Sequence, residues 1–254
     1  MFLSLKTLYR KRTVIWPFYF YTIIRTLSTF YNKFKGKTFN ILLKSGVSMD
    51  KYKSMTELEE QTKENEDWEI VSNDLRSNVT ILAIHGGGIE PATTELACVI
   101  AEQGQYNYFA FNGIRSKGNN ELHVTSIHYD NEIAMNLVNN SDIAVTIHGC
   151  SGDESIAYIG GKDIELKEAI GSGLADIGLD IQAAPSNMAG AQDNNIVNRT
   201  TKGAGVQIEL SSKLRKSLFK NKKSNFKSRQ DQSNWDNLMY DIAKAINKAI
   251  ESLN

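Results

Sequence analysis

The stretch VTILAIHGGGIEP at residues 79–91 decides the fold of this chain. Its first six residues are apolar or β-branched, which is typical of a buried strand that ends at His85. Three glycines follow at 86–88, and Pro91 then leads into a segment whose apolar residues recur at helical spacing. The stretch therefore predicts a strand, a glycine loop and a helix in succession.

Similar elements recur along the rest of the chain. Strands are predicted at residues 106–111, 122–127, 142–148 and 206–210. Helices are predicted from near Ser54, from Thr93 or Thr94 as the N-cap, at 131–139, at 162–174 and over the amphipathic run 235–253. Because strands alternate with helices, the sequence predicts a single α/β domain with a mixed, mostly parallel central sheet flanked by helices.

The composition supports one globular domain and excludes several classes of protein. Among 254 residues, 29 are Lys or Arg and 29 are Asp or Glu, so the net charge is zero, which argues against a protein that simply coats polyanions. Hydrophobic residues make up 41% of the chain, which is enough for a sizeable core and excludes wholesale disorder. The two cysteines, Cys98 and Cys150, are too few for a disulfide framework or a four-thiolate zinc site.

Residues 1–48 form a basic, aromatic extension ahead of a domain predicted at residues 49–254. Residues 1–49 contain nine Lys or Arg and no Asp or Glu. The uncharged run at 13–24 is shorter than the roughly 20 apolar residues that span a bilayer. Three interpretations stay open: a secretory signal, an interfacial helix that gives weak membrane association, and a tail without a folded role.

The cellular location stays open for the same reason. The protein is either cytoplasmic and released on lysis, or membrane-associated or exported through residues 1–48. The domain itself is expected to be a monomer.

Three predicted strands place an ionisable side chain at or near their carboxyl end. His85 ends the first strand, His148 ends the strand 142–148, and Glu209 lies in the strand 206–210. Ligands of open α/β sheets gather at this edge of the sheet. We therefore expect the three side chains to share one crevice, although each has an ordinary structural explanation when taken alone.

The residue types at this edge are those of a catalytic zinc site. The glycine loop lets the backbone turn sharply, so that His85 and Glu90 can reach one ion, and His148 can supply a third ligand. Two histidines and one glutamate with an open position form the ligand set of zinc hydrolases. Glu95 and Cys150 are weaker alternatives, because a carboxylate suits the first turn of any helix and a thiolate suits closed structural sites.

Glu209 is the candidate for a general base. A carboxylate on a strand beside a zinc-bound water can take its proton and pass it to a leaving amine. The alternative is a solvent-facing glutamate on a half-buried strand, because Gln207 and Glu209 share the face opposite the apolar residues.

The segment 211–229 carries eight Lys or Arg and no acidic residue, directly after the strand with Glu209. It is either a solvated loop or a rim that guides an anionic substrate. Nucleic acid is not expected as a partner, because only Phe219 and Phe226 in this segment can stack on bases.

These motifs together resemble those of a known family. The stretch HGGGIEP at 85–91, with TELA at 94–97, resembles the zinc-binding opening of the phage-related poly-γ-glutamate hydrolases. Further motifs follow in the family's order: LHVTS at 122–126, IHGC at 147–150, Asn198-Arg199 and GVQIEL at 205–210. The resemblance runs from about Met49 to the C-terminus.

The resemblance implies a fold, an activity and a cofactor. The fold would be zinc-carboxypeptidase-like, and a zinc-activated water would hydrolyse the γ-glutamyl amide bonds of poly-γ-glutamate. His85, Glu90 and His148 are implied as the ligands of Zn²⁺. Two alternatives keep the metal site: an amidohydrolase of γ-glutamyl peptides in cell walls, and a module that binds polyanions without turnover.

The resemblance also implies which residues act on the substrate. Glu209 is implied as the general base. Arg199 is implied as a catalytic and substrate-binding residue that holds a carboxylate or polarises the scissile carbonyl, for which its planar donors are suited. His123 is expected to line the substrate site, whereas His128 is not assigned because a solvated histidine explains it equally well.

Overall fold

A seven-stranded sheet forms the centre of the domain, in the order β1-β3-β2-β4-β7-β5-β6. The strands are β1 (Trp68–Asn73), β2 (Val79–Gly87), β3 (Asn107–Gly113), β4 (Ile143–Cys150), β5 (Ile156–Gly161), β6 (Asp180–Ala183) and β7 (Val206–Ser211). The computed structural model describes residues 50–254. The predictions about the extension 1–48 and the run 13–24 lie outside the described residues.

The helices of the described part are α1 (Met55–Gln61), α2 (Thr93–Gly104), α3 (Glu132–Asn139), α4 (Ile164–Asp176), α5 (Ser212–Ser217), α6 (Phe226–Arg229) and α7 (Asn237–Glu251). Several begin at a side chain that accepts a backbone N–H, including Ser54 before α1, Asp163 before α4 and Asp236 before α7. Within residues 50–254, each helix is too short or too polar to span a lipid bilayer.

Side chains on the two faces of the sheet pack into two separate cores. All nine residues of β2 are buried, and successive side chains point to opposite faces. Ile81 and Ala83 join the core under α2, α4 and α7, whereas Leu82 and Ile84 join the core that includes α1 and α3. Because helices cover both faces, the ends of the strands are the accessible positions on the central sheet.

The predicted mixed, mostly parallel sheet flanked by helices is confirmed. β2 pairs in parallel with β3 and β4, β4 with β7, and β5 with β6. β1 and β5 run antiparallel to β3 and β7 respectively. The carboxyl ends of β2, β4 and β7 therefore meet at one edge, where His148 lies opposite Glu209 in register.

The strand predicted at residues 122–127 is wrong. The chain there makes two short 3-10 turns, Asn119–Leu122 and Ser126–His128. Leu122 and Val124 are buried in the second core, while the backbone around them bonds to side chains instead of a neighbouring strand. An apolar run thus packs across the end of the sheet without joining it.

The N-cap of α2 also differs from the prediction. The cap position is Ala92, with a φ of 87°, and neither Thr93 nor Thr94 occupies it. The Thr93 hydroxyl donates to the Glu90 carbonyl at 2.8 Å, and the Thr94 hydroxyl accepts from the Gly87 N–H at 2.9 Å. Both threonines therefore hold the loop ahead of the helix.

Three strands have no counterpart among the sequence predictions. β1 and β6 are the two edge strands, and most of their residues are exposed or only half-buried, so they lack an apolar run. β5 is apolar but short, and it ends in two glycines. Edge position and short length explain why local patterns did not indicate them.

Candidate functional site

The loop between β2 and α2 brings Glu90 back beside His85. The Glu90 backbone N–H donates to the His85 carbonyl at 2.9 Å, which closes the loop. Gly87 has a φ of 64°, and a Cβ there would lie 2.5 Å from the carbonyl oxygen of Gly113. A side chain would push the loop away from β3, so the turn requires glycine at this position.

Three side chains converge at the carboxyl edge of β2 and β4. His85 Nδ1 lies 3.1 Å from Glu90 Oε1 and 3.2 Å from His148 Nδ1. His148 Nδ1 lies 3.7 Å from Glu90 Oε2, which also accepts the Gly149 N–H at 2.8 Å. The structure therefore brings together the three residues predicted as metal ligands, and we name them the metal cluster.

The hydrogen bonds of the two histidines fit a bound cation. His85 Nε2 donates to the Val124 carbonyl at 2.8 Å, which leaves a lone pair on Nδ1 facing Glu90 and His148. His148 Nε2 is buried and has no hydrogen-bond partner among the described residues, so the polar contacts of this ring lie on the Nδ1 side. Lone pairs that converge in this way repel one another unless a proton or a cation lies between them.

The spacing of the donor atoms matches Zn²⁺. Donors around a tetrahedral zinc ion at about 2.1 Å lie about 3.4 Å from one another. The two Nδ1 atoms lie 3.2 Å apart, and they lie 3.1 and 3.7 Å from Oε1 and Oε2 of Glu90 respectively. The donor types and their spacing therefore both fit this ion.

The charges of the metal cluster favour a cation as well. Burial disfavours ionisation of Glu90, yet His85 and His148 outweigh it and hold the pKa of Glu90 well below its ordinary value. Burial likewise opposes protonation of His148, but Glu90 and Glu209 raise the pKa of His148 above its ordinary value. The carboxylate thus stays ionised and requires a positive charge beside it.

Glu209 lies next to the metal cluster and is buried. It sits opposite His148 in the pairing of β7 with β4 and is 8% exposed, which excludes the solvent-facing alternative. Gln207 Nε2 donates to Glu209 Oε1 at 3.0 Å. Burial raises the pKa of Glu209 above its ordinary value, although the neighbouring His148 acts in the opposite direction.

His123 lies on the other side of the metal cluster, packed against the ring of His85. The two ring centroids are 4.0 Å apart, and His123 Nε2 is 3.9 Å from Glu90 Oε1. His123 Nδ1 donates to Asp50 Oδ1 at 2.6 Å, and the Thr125 N–H donates to Asp50 Oδ2 at 2.7 Å. His123 Nε2 therefore presents a lone pair toward the metal cluster.

His123 is also within reach of a metal ion. Ligand atoms of His85, Glu90 and His123 all lie within 4.8 Å of one another. His123 Nε2 lies 3.9 Å from Glu90 Oε1, close to the 3.7 Å between His148 Nδ1 and Glu90 Oε2. His148 also lies 3.2 Å from His85 Nδ1, whereas His123 offers a further imidazole on the open side of the same carboxylate.

Among residues 50–254, the structure shows no hydrogen bond or ion pair between Arg199 and the metal cluster. It is exposed and follows the 3-10 turn Ile196–Asn198. Thr201, two residues on, donates its N–H to the carbonyl of Ser141, just before β4 begins. His148 lies near the other end of β4, roughly 17 Å along the strand at about 3.3 Å per residue. The predicted catalytic role of Arg199 stays a prediction.

The two weaker alternatives for metal ligands have other environments. Glu95 Oε1 accepts from Arg229 Nε at 2.9 Å, and both side chains are buried. Burial and the neighbouring Glu209 raise the pKa of Cys150 to about 11, so its thiol stays protonated near neutral pH.

Sequence patterns missed two residues that support the site, Asp50 and Arg215. Asp50 bonds to His123, 73 residues away, and carries no local signal. Arg215 was counted only as one charge of a basic segment, yet it bonds to Pro91, 124 residues away.

The sequence matches known proteins over the same domain. A sequence profile of the family described as poly-γ-glutamate hydrolase matches residues 52–245. The SPβ prophage-derived protein YoqZ of Bacillus subtilis (strain 168) is 36% identical over 180 residues, which cover 69% of this chain and 64% of YoqZ. YndL of the same organism is 36% identical over 167 residues, which cover 63% of this chain and 65% of YndL. The chain thus spans just under two thirds of the length of these curated relatives.

Two solved structures share the fold. A bacteriophage poly-γ-glutamate hydrolase superposes with a TM-score of 0.77 at 30% identity, over 81% of this chain and 98% of the other. A zinc-free form of YndL superposes with a TM-score of 0.72 at 29% identity, over 81% of this chain and 99% of the other. The residues matched by the family profile include the metal cluster, His123 and Glu209.

Proposed function

Because this chain belongs to the poly-γ-glutamate hydrolase family, we propose that it cleaves γ-glutamyl amide bonds of poly-γ-glutamate with one Zn²⁺ held by His85, Glu90 and His148. The observation that carries the proposal is the convergence of two imidazole nitrogens and a carboxylate beside buried Glu209. When bound, Zn²⁺ supplies Lewis-acid polarisation of the scissile carbonyl and makes a water more acidic. The zinc-free form of YndL, a relative with this fold, supports the choice of metal.

Glu209 is the general base of this proposal. Gln207 holds Oε1, so Oε2 takes the proton of the attacking water and returns it to the nitrogen of the departing amine. Burial raises the pKa of Glu209, which makes the ionised carboxylate a stronger base at neutral pH than an exposed glutamate.

His123 and Arg199 act on the substrate in this proposal. His123 lies partly exposed beside the metal cluster, and its Nε2 lone pair accepts a hydrogen bond from an amide N–H of the polymer. Arg199 is exposed, and its guanidinium suits a carboxylate of the polymer remote from the bond that is cleaved.

The basic segment 211–229 gives a polyanionic substrate a positive approach. Its six lysines are exposed, and the segment follows directly after β7, which carries Glu209. Added salt should therefore slow cleavage of the polymer more than cleavage of a short, weakly charged γ-glutamyl amide. Equal salt sensitivity of the two substrates would count against this guiding role.

The proposed function is tested on the full chain with two measurements. Zinc content is determined by elemental analysis, and the size distribution of poly-γ-glutamate is followed by gel filtration with and without a chelator. We expect about one zinc per chain and shortening of the polymer that the chelator stops and added zinc restores. The Glu209→Gln variant, which keeps every proposed ligand, serves as the matched inactive control.

The same experiment separates the competing activities. Purified peptidoglycan is digested in parallel, and release of γ-glutamyl peptides from it with an intact polymer would move the substrate to cell walls. Zinc binding without cleavage of either substrate would leave a binding module. A protein that binds no zinc would overturn the assignment of the metal cluster.

A further inference from the structure

One half-buried guanidinium joins the three chain segments that carry the proposed catalytic residues. Arg215 Nη1 donates to the Pro91 carbonyl at 2.9 Å, Nη2 to the Cys150 carbonyl at 3.1 Å and Nε to the Leu210 carbonyl at 3.1 Å. Pro91 directly follows Glu90, Leu210 directly follows Glu209, and Cys150 comes two residues after His148. The three acceptors therefore lie on the loop after β2 and on the ends of β4 and β7.

The contact with β4 continues into the metal cluster itself. Gly149 lies between His148 and Cys150, and its N–H donates to Glu90 Oε2 at 2.8 Å. The guanidinium packs against Gly149, where a Cβ would lie 2.6 Å from Arg215 Nε. The absence of a side chain at Gly149 thus lets Arg215 lie directly beneath the peptide that orients the Glu90 carboxylate.

The geometry of these contacts requires arginine. A guanidinium presents five N–H donors in a rigid plane, so it can satisfy three carbonyls in different directions at once. A lysine ammonium is a single point of charge on a flexible stem, and it reaches only some of these acceptors. Lysine would leave at least one of the three carbonyls without its donor, so the segments would shift to find other partners.

We propose that Arg215 is a positioning residue that holds Glu90, His148 and Glu209 at their mutual distances and thereby sets the affinity of the metal cluster for zinc. This inference rests on the proposed function, because it concerns the same site. The two arginines of segment 211–229 also differ from its exposed lysines, because Arg215 bonds the Pro91 carbonyl and Arg229 bonds the Gly87 carbonyl at the end of β2.

The first test compares zinc affinity in Arg215→Lys and Lys216→Met, measured by competition with a chromophoric chelator. Arg215→Lys keeps the charge and most of the side-chain volume, whereas Lys216→Met removes an exposed charge from the neighbouring position. We expect Arg215→Lys to weaken zinc binding by about 10- to 100-fold, as loss of outer-shell partners does. The zinc affinity of Lys216→Met should stay within about two-fold of the wild-type value, as expected when an exposed surface charge is removed.

The second test needs neither zinc nor substrate. Amide hydrogen exchange is measured on the metal-free forms of the wild type and both variants. We expect faster exchange in Arg215→Lys at residues 86–93 and 147–151, and unchanged exchange in α4, which lies away from the cluster. This local pattern distinguishes positioning from a general loss of stability.

Two results would overturn the inference. The first is that residues 86–93 and 147–151 of Arg215→Lys exchange no faster than the same residues of Lys216→Met. The second is that exchange in α4 of Arg215→Lys rises as much as exchange in these two stretches. If the wild type binds no zinc, the proposed function fails, while the exchange experiment on the metal-free protein still decides the role of Arg215.

Discussion

His148 and His123 flank the same carboxylate but are supported in opposite ways. The His148 side chain is 3% exposed, and its Nε2 has no partner among the described residues. The His123 side chain is 35% exposed, and Asp50 bonds its Nδ1 at 2.6 Å. A buried imidazole whose Nδ1 faces a carboxylate and a second imidazole is stabilised by a cation between them, whereas an exposed imidazole already paired with a carboxylate needs no ion. The inner side of the site is therefore suited to an ion, and the open side to a substrate.

Replacement of His148 should give the largest effect, and it tests the inner side directly. His148→Gln removes one proposed ligand, so zinc affinity should fall by more than about 100-fold, which exceeds the usual effect of an outer-shell change. Hydrolysis of the polymer should fall with it. The measurement is a zinc titration followed by an activity assay at saturating zinc.

His128→Gln is the matched control, because His128 is an exposed histidine on the 3-10 turn Ser126–His128. It should keep both zinc and activity. If His148→Gln kept its zinc while His123→Gln lost it, the roles of the two sides would be reversed.

Replacement of Glu209 should separate chemistry from metal binding. Glu209→Gln should lower kcat by about 10²- to 10⁴-fold, the usual contribution of a general base, and leave the zinc content unchanged. Single-turnover kinetics on the polymer measure the first quantity, and elemental analysis measures the second. A variant with normal zinc and full activity would remove Glu209 from the mechanism.

The pH profile gives Glu209 a signature of its own. The base must be ionised, so kcat/KM is full above the pKa of Glu209 and is lost as pH falls through it. Because burial raises that pKa, the acid limb should lie above the ordinary value of 4.5. The residual activity of Glu209→Gln should show no such limb.

The open side should respond more weakly than the inner side. His123→Gln removes one hydrogen bond to the substrate, which contributes about 1–1.5 kcal/mol, so KM for the polymer should rise by roughly 5- to 13-fold with zinc affinity nearly unchanged. Asp50→Asn should also raise KM for the polymer, but by less, because it disturbs only the orientation of His123. A loss of zinc in both variants would instead make His123 a metal ligand.

Arg199 should show the smallest effect. Since Arg199 is exposed and lies by the start of β4, Arg199→Ala should raise KM by about two- to three-fold, consistent with a surface ion pair of under 1 kcal/mol. Steady-state kinetics with Lys202→Ala as the control measure this change. A fall in kcat of about 100-fold would place Arg199 at the bond that is cleaved.

Local patterns predicted the parts of the fold that carry strong local signals. β2, β4 and β7 are buried runs of β-branched and aliphatic residues, and α7 has a regular apolar stripe, so each could be predicted without knowledge of its neighbours. The run at 122–127 has the same apolar character but packs over the end of the sheet. Its neighbours decide its structure, since the backbone there bonds to His85 and Asp50.

The residues of the candidate site also fall into two groups, those with a local sequence signal and those without one. His85, His148 and Glu209 could be predicted to share one crevice, because parallel strands bring their carboxyl ends to one edge. Glu90 could be predicted to join them, because the glycines let its loop turn back toward His85. Nothing local distinguished Asp50 from other acidic residues or Arg215 from its basic neighbours.

The sequence by itself determined which residues can chelate an ion and which strands carry them, because residue chemistry and apolar periodicity are local properties. Only the tertiary structure decided that Asp50 orients His123 and that Arg215 joins three segments. The Asp50–His123 and Arg215–Pro91 contacts join residues 73 and 124 positions apart. Packing of the whole domain sets such distances, and no stretch of sequence contains them.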